Sequence, residues 1–396
     1  MSGVQPAERV TFPRGLNAIA RVRSELVAAG VDLLDLSDSN PTRHGLLHPA
    51  VLDAMRRHIP DATRYQPHPR GLRAAREALA ARFGGGPDDY WLTESTSQAY
   101  SWLLTLLADP GQAVAVPEPG YPLVEPLARF AGVRTIGYRL DYVHPQGWLL
   151  DPVSLATAAS DPATRAVIVV NPGNPTGSYV GDGVDELESA CLRSGAALIA
   201  DEVFGPFTLD GASSSPRGAV WSLAGQRRVP TFVLGGLSKL LCAPQLKLAW
   251  IRVDGPFEAC LALRDGLDTL ADAFLPVSGP VAAALPEMLA VADESVTATR
   301  TRLATNLATT RRELAEGPYR VRRCEGGWTV LIDVPQYLPA KDLAVHLMRH
   351  ANLDVHPGWF YDLPSAGALA LSLLPAPDRF AEGLRRLRTA VEELVG

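Results

Sequence analysis

The sequence predicts an α/β layered domain with a mainly parallel central sheet, joined to a smaller α+β domain. Two observations carry this reading. Five short apolar runs, Ala113–Val116, Ala166–Val170, Ala196–Ala200, Thr231–Leu234 and Leu248–Val253, are bounded by Gly, Pro or Asp, which suits strands buried on both faces. Helix-like stretches such as Gln98–Leu107 and Gly183–Ser194 lie between them, and strand–helix alternation of this kind builds parallel sheets. From Asp254 the pattern turns mainly helical. It then gives strand-like pieces at Trp328–Val334 and Ala368–Leu373 and a terminal helix over Asp378–Val395. The larger unit is assigned to residues 46–284, and the smaller one to residues 1–45 together with 285–396.

The totals narrow the classes of function. A chain of 396 residues with 47% hydrophobic and 20% charged residues can bury a large core. Its net charge of −6 and lack of a basic stripe give no reason to expect nucleic acid. No stretch approaches the ~20 apolar residues of a membrane span. The first residues carry charges and prolines where a secretion signal needs an apolar run. The four cysteines are scattered, without a paired motif or a histidine cluster beside them, so a reduced, cytoplasmic protein without a metal is expected. Of 37 basic residues only three are lysines: Lys239, Lys247 and Lys341. Lys341 reads as a surface residue of a helix. Lys239 and Lys247 fall within nine positions of the chain, in an apolar segment.

In a parallel sheet, ligands gather where loops leave the carboxyl ends of the strands. Three successive runs each deliver polar residues there. The first is followed by Asn171-Pro-Gly-Asn174-Pro-Thr-Gly177, the second by Asp201-Glu-Val-Phe204, the third by Leu237-Ser238-Lys239. Taken singly, each is a turn, a helix cap or a surface charge. Taken together they make chemical sense. A partly desolvated lysine forms an imine with an aldehyde. A carboxylate keeps a pyridine nitrogen protonated, so that the ring accepts carbanion density, and an asparagine amide donates to a phenolate-like oxygen. These are the demands of pyridoxal 5′-phosphate (PLP).

The motifs NPGNPTG, DEVF and LSK-(x)4-PQLKLAW, in this order and spacing, resemble the class I/II aminotransferases, the fold type I PLP enzymes of the aspartate aminotransferase superfamily. The resemblance implies a three-layer sandwich about a mainly parallel sheet. It implies that Lys239 is the Schiff-base lysine and general acid/base, that Asp201 pairs with the pyridine nitrogen, and that Asn174 approaches the ring hydroxyl. Ser238 and Lys247 fall where the family holds the phosphate. So do Ser95 and Thr96, in a turn leading from a short strand (Tyr90–Leu92) into a helix, where backbone amides suit an anion. Tyr121 lies where the family sets an aromatic ring against the pyridine. Tyr65 resembles the tyrosine that reaches the phosphate of a neighbouring subunit, which implies a homodimer with shared active sites.

Four departures from the family pattern stand out. Lys247 replaces an arginine, losing a bidentate fork. Phe204 replaces a tyrosine, removing one hydrogen bond to the ring oxygen. Gly236 replaces a serine or threonine. Near the C-terminus, Ala370 in Ala368-Leu-Ala-Leu-Ser372 stands where amino-acid aminotransferases carry an arginine that clamps the substrate carboxylate. Either another arginine does this, Arg43 or Arg379, or the substrate lacks a free α-carboxylate or is held by other groups. Arg379 reads as a solvated surface residue. The expected activity is transamination of a non-standard small-molecule amine or amino acid, in specialised biosynthesis. Elimination, decarboxylation or carbon–carbon bond formation would use the same scaffold. A non-catalytic PLP-fold protein is less consistent with intact lysine and aspartate motifs, and a nicotinamide enzyme would need a GxGxxG turn that the sequence lacks.

Overall fold

A computed structural model describes residues 4–12, 17–65, 67–209, 222–335, 338–363 and 367–394. Its centre is an eight-stranded sheet: β1 (Tyr90–Thr93), β2 (Ala113–Glu118), β3 (Arg134–Val143), β4 (Gly147–Leu150), β5 (Thr164–Val170), β6 (Ala197–Asp201), β7 (Thr231–Gly236) and β8 (Ala249–Asp254). The spatial order is β1-β8-β7-β6-β5-β2-β3-β4. Strands β7, β6, β5, β2 and β3 are mutually parallel. The register aligns Val170 with Asp201, and Asp201 with Leu234, so their carboxyl ends form one rim.

Alternate residues of each buried strand face opposite layers. Ala166 and Ile168 pack on one side with helices Thr96–Leu107 (α1), Val124–Phe130 (α2) and Phe257–Phe274 (α3). Val167 and Val169 pack on the other with Pro152–Ser160 (α4) and Val184–Ser194 (α5). Burial on both faces explains the unbroken apolar runs in the sequence. One of the five runs differs from expectation: β8 lies antiparallel to both β7 and β1. Only a four-residue helix, Leu237–Leu240, and a turn over Pro244–Leu246 join β7 to β8. With only one turn of helix the connection does not run back along the sheet, and the chain doubles back beside the strand it has just left.

The C-terminal part builds a four-stranded antiparallel sheet from β9 (Arg320–Val321), β10 (Thr329–Asp333), β11 (His356–Pro357) and β12 (Ala368–Ser372), in the order β9-β10-β12-β11. Helices Ala292–Glu313, Ala340–Ala351 and Pro377–Glu392 cover it through a core that includes Leu307, Val330, Leu347, Leu371 and Leu384. The N-terminal segment belongs to this region spatially: Leu34 and Asp35 pair in parallel with Leu353 and Asp354. Leu34 and Leu36 join the same core as Leu384, and each fully buried leucine contributes about 2 kcal/mol before its entropy cost.

Candidate active site

The rim of the parallel strands supplies the site from three successive loops. After β5, Asn171 is fully buried, and its backbone N–H donates to the carbonyl of Asp201 at 2.8 Å. Its side-chain oxygen accepts from the Val180 N–H at 3.0 Å, fastening the loop between them. Gly177 closes that loop at φ +63°, where a Cβ would stand 2.8 Å from the Cys324 sulfur and 2.9 Å from the Gly326 carbonyl. Only glycine suits both the angle and the space. The loop carries Asn174, whose side-chain amide has no partner among the described residues.

Strand β6 ends on Asp201, 3% exposed. One of its oxygens accepts from the Val203 N–H at 3.2 Å, the other from the Tyr100 phenol at 3.1 Å. Burial nevertheless dominates and pushes this carboxyl up to about 6, with those hydrogen bonds and the Lys239 charge acting in the opposite direction. Strand β7 ends at Gly236, and Lys239 follows in the four-residue helix. Two rings face its amine: Trp328 with its centre 4.7 Å from Nζ, and Phe204 at 5.3 Å. Desolvation lowers the amine to about 8, against raising contributions from Cys242 and Asp201. An amine of this kind is a far better nucleophile near neutrality than an exposed lysine.

Helix α1 approaches from a fourth direction. Ser95 is its N-cap, the hydroxyl accepting from the Gln98 N–H at 3.1 Å, and the unpaired amides of such a first turn attract anions. Thr96, Tyr121, Asn174, Asp201, Ser238 and Lys239 all line one cavity enclosing about 520 Å³ of space, its open mouth included. Gly236, Val203 and Phe204 complete much of its wall. Burial pushes the Tyr121 phenol up to about 12, so it stays neutral. The residues present fit PLP: a nucleophilic amine for its aldehyde, a carboxylate for its ring nitrogen, a free amide for its ring oxygen, an aromatic face and a helix N-terminus for its phosphate.

Other sequence candidates stand outside that cavity. Lys247 is exposed at a left-handed φ of +53°. Tyr65 is 72% exposed. Arg43 is exposed and pairs with Asp38 at 3.4 Å, and Arg379 pairs in the same way with Asp32. Two residues beside the site carried no signal in the sequence. Tyr100 reads there as one more apolar position of a helix, and Trp328 becomes a neighbour of Lys239 only through the fold. The described cysteines are free and buried, and no group of His, Cys, Asp and Glu suited to a metal occurs among the described residues. No described helix is long and apolar enough to cross a membrane.

A lysine and an aspartate at neighbouring strand ends, lining one cavity with the first turn of a helix, define a PLP-dependent enzyme of fold type I. The chain belongs to the family of aminotransferases class I and II, whose model matches residues 31–368. It is thus a PLP-dependent transferase. Tyrosine aminotransferase of Caenorhabditis elegans is 26% identical over 328 residues, 80% of this chain and 69% of that protein. Nicotianamine aminotransferase 1 of Oryza sativa subsp. japonica is 31% identical over 230 residues, but this match spans only 44% of the rice protein. The solved alanine aminotransferase of Pyrococcus furiosus superposes with a TM-score of 0.87 over 98% of this chain and 100% of its own. At 22% identity that likeness speaks for the fold alone.

Proposed function

We propose that the protein transfers an amino group between a small amine or amino-acid donor and a carbonyl acceptor, that at least one of these is non-standard, and that the reaction serves specialised biosynthesis. The supporting observation is the amine of Lys239, held enclosed against two rings and lowered to about 8. Bound there, PLP supplies an electron sink for negative charge at the carbon that carries the amino group. Lys239 attaches the cofactor and, once released, moves a proton at that carbon as general base and then general acid. Asp201 holds the ring nitrogen protonated, and Asn174 donates to the ring oxygen. Tyr121 would stack on the ring, and Ser95, Thr96 and Ser238 would hold the phosphate, to which Lys247, outside the cavity, would add positive charge. Tyr65 reaches across to a second copy of the chain in a homodimer. Arg43 is the candidate for a substrate contact, since Ala370 offers none.

The reading is tested by reducing the PLP-loaded protein with borohydride and locating the modified residue by mass spectrometry. Lys239 is expected to carry the cofactor, and Lys239→Ala is expected to be colourless. Adding an amino donor in a single turnover is expected to yield pyridoxamine phosphate. Release of pyruvate, ammonia or carbon dioxide without it would instead establish elimination or decarboxylation.

A further inference from the structure

We propose that the substrate carries an uncharged group beside its amine, a carboxamide, ester or ketone and not a free carboxylate, and that this group lodges past Asn174 in a second cavity, where the Trp148 indole N–H donates to it. This rests on the aminotransferase reading and extends it to a class of substrate.

The second cavity lies between the loop after β5 and the β3–β4 hairpin. Val170 and Asn174 line it and the cofactor cavity alike, so the two adjoin. Its wall is built from Tyr138, Leu140, Trp148 and Leu150, with Ser178 at the loop side. Among the described residues, Lys239 and Asp201 are the only charged side chains lining the first cavity, and none lines the second. Both of those charges are committed to the cofactor by the reading above. A carboxylate entering the second cavity would therefore be stripped of water with no cation to meet it.

The obvious rescues are missing: Arg43 is exposed, pairs with Asp38 and lines neither cavity. Ala370 packs in an apolar cluster with Trp148, Leu331, Tyr361 and Leu363. Two cations approach: Arg323, which runs beside Gly147 and pairs with Glu325 at 2.9 Å, and Arg322, whose guanidinium carbon is 5.3 Å from the centre of the Trp148 ring. The fork of Arg322 is already taken by Asp333, with contacts of 3.1 Å and 2.6 Å, and an engaged guanidinium has little left for a second carboxylate.

Trp148 supplies the positive indication. It is 4% exposed and lines the second cavity, and its indole nitrogen, like those of Trp102 and Trp328, is buried without an acceptor among the described residues. Buried donors are nearly always paired, so an acceptor from outside the chain is called for. A carbonyl oxygen of a neutral group meets that need without the cost of burying a charge. The Arg322 guanidinium, 5.3 Å from the ring centre, withdraws electron density and favours donation from the indole N–H.

The test compares alaninamide with alanine in single-turnover conversion of the PLP-loaded enzyme. Alaninamide is expected to react at least about tenfold faster in the second-order regime, the worth of one hydrogen bond. Calorimetric binding of the unreactive pair lactamide and lactate is expected to favour lactamide. In Trp148→Phe, the rate of alaninamide relative to isopropylamine, which has no acceptor, is expected to fall about tenfold. Alanine reacting as fast as alaninamide, lactate binding as tightly as lactamide, or an unchanged ratio in the variant would each overturn the proposal. The wild-type comparisons decide the question of charge even if the variant does not fold. Should no amine convert, the aminotransferase reading fails, and the lactamide–lactate comparison still decides this one.

Discussion

The phenol of Tyr100 donates to the carboxylate of Asp201 at 3.1 Å, inside a part of the molecule where both residues are almost wholly buried. Tyr100 stands four residues beyond Thr96 on the same helix, and Thr96 lines the cofactor cavity. One helix thus touches the site at two levels a turn apart. Its first turn lines the cavity, and its second donates to the acid.

Replacing Tyr100 by Phe should weaken cofactor retention by about tenfold. The change leaves one oxygen of a buried carboxylate without a donor, which raises that group further above its present value of about 6. Asp201 can hold a protonated ring nitrogen only when ionised, so the loss should grow as the pH is lowered towards 6. Equilibrium dialysis of PLP between pH 6 and 9 measures both effects. A uniform loss at every pH would mean that Tyr100 acts through packing alone.

Capture of PLP by the cofactor-free protein should follow the free amine of Lys239. Its value is lowered from 10.5 to about 8. The rate should therefore rise nearly tenfold per pH unit below 8 and level off above it. The same shift works on stability. The unfolded chain keeps this lysine protonated up to about 10.5, so unfolding takes up a proton between the two values, and the cost of burying the amine is relieved as the pH rises through that window. Stopped-flow absorbance across pH 6 to 10 gives the midpoint directly.

The ring of Trp328 should be visible in that midpoint. A ring centre 4.7 Å from Nζ favours the charged ammonium, by about 0.5–1 kcal/mol in comparable sites. In Trp328→Leu, which keeps the amine covered but removes the π face, the midpoint should move down by about half a unit, since one unit is about 1.4 kcal/mol. Trp328→Phe should retain most of the effect. An upward shift in the leucine variant would show that lost burial outweighs the ring.

Gly235→Ala should destabilise the protein by about 1–3 kcal/mol. A Cβ at this position would stand 2.5 Å from two atoms of the buried Trp250 indole on the neighbouring strand β8. Both residues are paired across the β7–β8 ladder, so neither can step aside. Chemical denaturation gives the value, and the same variant should misplace Lys239, four residues on, enough to slow cofactor capture.

What could be read from the chain follows from how local each signal is. The strands were legible because double burial forces continuous apolar runs, as in β5 and β6. Asp201 and Asn174 were legible because a polar residue just past such a run has few other reasons to be there. The direction of β8 was not legible, since an antiparallel strand flanked on both sides is as apolar as the parallel strands beyond it. Tyr100 and Trp328 were hidden for another reason. Their contacts to Asp201 and Lys239 join positions about 90 to 100 residues apart, and nothing in their local sequence separates them from ordinary core aromatics. Lys247 and Tyr65 show the reverse case, plain in the motifs yet exposed and outside the cavity of a single chain.

The two halves of the pocket come from different parts of the architecture. Asp201 and Lys239 are set by the register of adjoining parallel strands, whereas Trp148 and Ala370 belong to an edge hairpin and to the antiparallel sheet. A drift in sequence at the edge can alter which molecule is accepted while the ring nitrogen and the lysine keep their partners. Descendants of such a scaffold can change diet without relearning their chemistry, and Ala370 marks one place where that has room to happen.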